Sequence, residues 1–87
     1  MVKALTSAQI RAARALIHWS AAKLAHEATL GLATIRRAEL TKSETSMTAA
    51  NDLAVRRALE AAGVIFIDEN GDAGPGVRLR KRRGKSE

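Results

Sequence analysis

At 87 residues the chain has room for one small domain, and the lack of cysteine excludes disulfides and thiolate metal sites and points to a reducing cytoplasm. Residues 1–10 lack the apolar run of a secretory signal, and no stretch approaches the ~20 apolar residues that cross a bilayer, so a cytoplasmic protein without membrane contact is expected. The net charge of +6 suggests a polyanionic partner, yet six basic residues and one acid fall within 78–87, which leaves residues 1–77 at only +1.

Thr6 and Gln9 have the spacing of a capping box, which opens a first helix ending near Trp19. Ile10, Ala13 and Ile17, with Leu16 beside them, form its apolar stripe, while Arg11 and Arg14 lie off the centre. Ser20 is a good cap for a second, short helix to about Ala28, with Leu24, Ala25 and Ala28 inward and Lys23, His26 and Glu27 outward. Beyond the turn Thr29-Leu30-Gly31, a third helix is expected from Leu32 to about Leu40, with Ile35 and Ala38 inward and Arg36 and Arg37 exposed.

Residues 41–47 are polar and read as a loop, after which Thr48 caps a fourth helix to Ala62 on the repeat Val55, Leu59, Ala62. Gly63 supplies the left-handed residue that commonly ends a helix. The β-branched and aromatic run 64–67 and the alternating run 77–80 predict two strands. Asn70-Gly71 and Gly74-Pro75-Gly76 lie in the loop between them, making a hairpin.

The first strand is apolar on both faces, so one face rests on the helices and the other seeks a partner. This makes Val64, Ile65, Phe66 and Ile67 the expected dimerisation element of a homodimer. Three segments result: helices in 1–63, a hairpin in 64–80 and a basic tail in 81–87.

The segment 19–40 carries a more specific pattern. Ser20 opens a helix, Leu24-Ala25 pack inside it, Leu30 plugs the turn, and Thr34-Ile35-Arg36-Arg37 with Glu39 follow. This pattern resembles the XRE family, the class of phage Cro and repressor helix-turn-helix domains, over residues 4–63. Residues 56–68 and 74–79 resemble the C-terminal part of short bacterial members.

The resemblance implies a mainly α fold: a four-helix Cro/repressor-like domain followed by a C-terminal hairpin and basic tail. It also implies a recognition helix in the major groove of double-stranded DNA, with Leu32, Ala33, Thr34, Arg36 and Arg37 at base edges. Ser20, Lys23, Thr41, Lys42 and Ser43 would meet the backbone. Arg80, Lys81, Arg82, Arg83 and Lys85 would add nonspecific phosphate contacts. Arg14 and Glu39 match positions that often pair in that family. Three departures stand out: Thr29 where glycine is frequent, Ala21 where a polar residue often meets phosphate, and Gly31-Leu32 where polar residues open the recognition helix.

Other chemistries find little support. His18 and His26 are the only histidines and sit at no metal-site spacing; no Ser-His-Asp arrangement is suggested, and residues 70–74 read as a turn before a phosphate loop. Trp19 belongs to the core rather than to a stacking platform, since binders of single strands need several exposed aromatics. No enzyme, cofactor or metal is expected. The expected function is a sequence-specific regulator, a repressor that binds palindromic operator DNA as a dimer. The alternative is a protein-interaction module, an anti-activator or antitoxin, which the near-neutral body and Ala21, Gly31 and Leu32 favour.

Overall fold

The computed structural model describes residues 4–81, so Arg82, Arg83 and Lys85 of the expected basic tail lie outside the described residues. Its four helices are α1 (Ser7–Ile17), α2 (Ala21–Ala28), α3 (Leu32–Ala38) and α4 (Ala49–Ala61), and an antiparallel hairpin of β1 (Val64–Ile67) and β2 (Gly76–Leu79) follows them. The chain is mainly helical, with the strands at its C-terminal end.

Helix starts follow the local chemistry. Thr6 accepts the Gln9 N–H at 3.1 Å and Gln9 Oε1 accepts the Thr6 N–H at 3.0 Å, a complete capping box. Ser20 and Thr48 cap α2 and α4 in the same manner, accepting from the Lys23 and Asn51 amides. Gly31, at the start of α3, offers no side-chain cap.

Helix ends are less regular. His18 and Thr29 close α1 and α2 in the left-handed region, at φ 59 in both cases, a conformation that glycine takes without strain and a β-branched residue does not. The third helix stops at Ala38, two residues before the expected Leu40: Glu39 makes the last α-helical bond, to the Ile35 carbonyl, and Leu40 donates instead to the Arg37 carbonyl in a tighter turn. Gly63, at φ 107, has the positive backbone angle expected of it.

The strands pair in the register Val64 with Leu79, Ile65 with Arg78, Phe66 with Val77 and Ile67 with Gly76. Thus β2 begins and ends one residue before the expected 77–80. Arg80 leaves the strand instead, its N–H donating to the Gly63 carbonyl at 2.7 Å and its guanidinium to the Glu60 carbonyl at 3.0 Å. Arg80 is therefore tied to the end of α4 and is not part of a loose tail.

Leu5, Ile10, Ala13, Leu24, Ile35, Val55, Leu59 and Val64 lose nearly all contact with solvent, so the segment before α1, all four helices and β1 share one core. Three residues of the expected apolar stripes fall short of the core: Ile17 and Ala62 are half-buried, and Leu16 is exposed. The hairpin rests on α1 and α4, and α2 packs against α3 and α4. Gln9 donates its Nε2 to the Gly76 carbonyl at 3.1 Å, and the Arg56 guanidinium lies 4.8 Å above the Phe66 ring.

The segment 41–47, expected as a loop, is stitched to the chain's start. The Ser7 N–H donates to the Ser43 carbonyl at 2.9 Å and the Thr45 N–H to the Leu5 carbonyl at 3.1 Å. Asp52, in the first turn of α4, accepts from the Leu5 amide at 3.3 Å and from the Thr45 hydroxyl at 2.7 Å. Among the described residues no helix is long and apolar enough to cross a membrane.

Candidate nucleic-acid interface

Helix α3 is short, and its two sides have opposite characters. Ile35 and Ala38 are enclosed in the core, whereas Leu32, Ala33, Arg36 and Arg37 are exposed and Thr34 is half-buried. At helical spacing Ile35 and Ala38 are adjacent on one face, so their burial fixes the direction in which the other five point. The five residues expected at base edges thus belong to one element whose rotation is set by packing.

Its orientation is set by charge. Arg14 of α1 grips Glu39, which closes α3, through a two-pronged ion pair: Nε to Oε2 at 2.7 Å and Nη2 to Oε1 at 2.8 Å. The third prong, Nη1, donates to the Trp19 carbonyl at 2.9 Å. Hydrogen bonding and charge from Glu39, which is only 8% exposed, raise the Arg14 pKa above its ordinary value against the opposing effect of burial. A raised value means that this contribution is complete below the ordinary guanidinium pKa and is lost only as pH rises beyond it, outside any working range. The pairing that the sequence resemblance implied is present, and planar bidentate geometry makes it directional.

Two concavities flank α3. Arg11, Arg14, Ser20, Ala21, Arg36 and Glu39 line one, where α1, the start of α2 and α3 meet. Thr34, Arg37, Thr41, Thr45, Thr48 and Asn51 line the other, between α3, the 41–47 segment and the start of α4. Leu40 borders both and is 81% exposed.

Five of the expected contact residues divide between these surroundings, and Leu32 and Ala33 border neither. Ser20 and Arg36 share the first concavity, and Thr34, Arg37 and Thr41 share the second. The Thr41 hydroxyl is also engaged inward, against the Ser7 hydroxyl, which itself donates to the Ala38 carbonyl. Lys42 and Ser43 are exposed beside the second group. Lys23 borders neither concavity; it pairs with Glu27 at 3.2 Å and lies 5.7 Å from the Trp19 ring centroid.

The sequence pattern did not single out Arg11, Leu40, Thr45, Thr48 or Asn51 as contacts, yet all five border these concavities. Only Arg11 left a usable sign in the sequence, three residues before Arg14 and hence on the same side of α1. Among the described residues Arg11, Arg36 and Arg37 have no carboxylate partner. Three of the acids, Asp68, Glu69 and Asp72, stand instead in the hairpin loop. The near-neutral body thus conceals a local excess of positive charge beside α3.

The outward side of the hairpin is apolar but narrow. Val64 is 1% exposed and committed to its own core, and Phe66 is half-buried beneath Arg56, so Ile65 and Ile67, at 36% and 37%, are the β1 side chains turned to solvent. Compared with known proteins, the chain matches no family model and no curated protein.

Proposed function

We propose that the chain is a sequence-specific DNA-binding regulator of the Cro/repressor-like helix-turn-helix type, acting as a repressor and binding palindromic operator DNA as a dimer. The observation that carries this reading is α3 itself: Ile35 and Ala38 are locked into the core while Arg36 and Arg37 face outward without carboxylate partners among the described residues. A helix held in this way and joined to α2 through a three-residue turn is suited to the major groove. There a guanidinium donates two hydrogen bonds to guanine, and the methyl groups of Leu32, Ala33 and Thr34 suit thymine. The dimer would form through Ile65 and Ile67, giving two α3 helices related by a two-fold axis and hence a palindromic site.

The test is enrichment of duplexes from a random-sequence library by the intact chain, followed by affinity measurement for the Arg37→Ala variant. Enrichment of a palindrome is expected, with Arg37→Ala losing about 1–3 kcal/mol of discrimination at one base position in each half-site. Failure to enrich any sequence refutes the reading.

A second reading has its own support. Leu32 and Leu40 place apolar surface on and beside α3, where a DNA reader usually carries polar groups, and this suits an anti-activator or antitoxin that docks on a protein. Under that reading the intact chain binds no duplex above the affinity of a charge-matched control peptide.

A further inference from the structure

The two adjacent arginines of α3 sit in unlike electrical surroundings. Arg37 borders a concavity whose other polar lining is neutral, made of threonine and serine hydroxyls and the Asn51 amide. Arg36 borders the concavity that also contains Arg11 and Arg14. Among the described residues the one carboxylate there, Glu39, is already taken by both prongs of Arg14, so two guanidiniums, Arg11 and Arg36, remain uncompensated around one depression. Arg11 is also held in place, because its Nη1 donates to the main-chain carbonyl of Glu39. Its remaining N–H donors are free for a ligand, and the usual entropic cost of fixing so long a side chain is partly met in advance.

Two neighbouring cations favour an anion between them. A phosphodiester supplies one negative charge and two acceptor oxygens, which match the forked geometry of a guanidinium. A helix seated in the major groove is bordered by phosphates, and contacts to these set register without reading sequence. Resting on the DNA-binding reading above, we infer that the concavity between α1 and α3 seats a phosphodiester of the DNA backbone, held by Arg11 and Arg36. Arg36 is then a backbone contact, Arg37 is the base-reading arginine, and Arg11 belongs to the interface although the sequence pattern passed over it.

The experiment uses the full chain, its selected duplex and a random-sequence duplex of equal length, with Kd measured across a salt series. Arg11→Gln and Arg36→Gln should each weaken both duplexes by the same factor and reduce the salt slope by about 0.9. Arg37→Gln should instead weaken the selected duplex more than the random one. Circular dichroism confirms that each variant keeps its helix content. A change of base preference in Arg36→Gln at unchanged slope, or an Arg11→Gln variant equal to the parent on both duplexes, overturns the inference and leaves DNA binding standing. Absence of duplex binding by the unaltered chain removes the DNA reading itself and the inference with it.

Discussion

At Thr29 a requirement of the backbone overrides the preference of the side chain. The turn between α2 and α3 needs a left-handed residue, with φ 59 and ψ 45, and the sequence supplies a β-branched one whose side chain crowds its own backbone. The cost of that conformation for an L-residue is about 1–2 kcal/mol, and glycine avoids it while adding some freedom to the unfolded chain. Thr29→Gly is therefore expected to stabilise the fold by about 1 kcal/mol, raising Tm by roughly 4–8 °C in a domain of this size. Thermal melts followed by circular dichroism check this; a lower Tm would mean that the Thr29 side chain contributes contacts outweighing its strain. The cost was visible in the sequence because a turn at that point was legible. His18, equally left-handed, carries no such sign, because the apolar stripe runs on to Trp19 and no glycine or asparagine marks the end of α1.

At the level of elements, what was legible was local. The caps Thr6, Ser20 and Thr48 each act on the amide three residues ahead, so spacing alone located three helix starts. What was not legible spans long stretches of chain: Asp52 reaches the Leu5 amide 47 residues away, and Ser7 is buried because Ala38 and Thr41 come to meet it. No periodicity announces such contacts, so the sequence shows the 41–47 segment as a loop and not what the loop is tied to. Gln9 combines both kinds. Its oxygen completes the capping box, which the sequence displayed, and its nitrogen holds the Gly76 carbonyl of β2, 67 residues on, which the sequence did not. A two-stranded hairpin is marginal by itself and depends on such anchors. Gln9→Glu keeps the shape and the acceptor but turns a carboxylate towards a carbonyl, and it is expected to destabilise the fold by about 1–3 kcal/mol. Amide exchange should quicken in β1 and β2 before it does in α2; uniform protection across the hairpin would show that apolar contacts with α1 and α4 hold it without Gln9.

For the molecule as a whole, charge and apolar surface are separated. Guanidiniums without a carboxylate partner among the described residues gather around α3, and outward isoleucines lie on the hairpin, which rests on α1 and α4. In the sequence this appeared as a body of net +1 with an apolar strand, and the sum hid the asymmetry because acids of the distant hairpin loop, Asp68, Glu69 and Asp72, offset the positive charge beside α3. In the proposed dimer, Ile65→Asp should shift sedimentation from dimer to monomer at micromolar concentration with the helix content unchanged. Val64→Ala should instead lower stability by about 1–3 kcal/mol without favouring the monomer, since that side chain faces the protomer's own core. A parent chain that sediments as a monomer at high concentration would refute the dimer. Helix α1 links the two regions: Gln9 in its first turn holds the hairpin, and Arg14 near its end holds α3. Eleven helical residues span about 16 Å, so α1 acts as a ruler. The separation of the two reading heads in such a dimer is set by a stiff rod and not by a linker, so inserting a single base pair between half-sites would turn one head out of its groove.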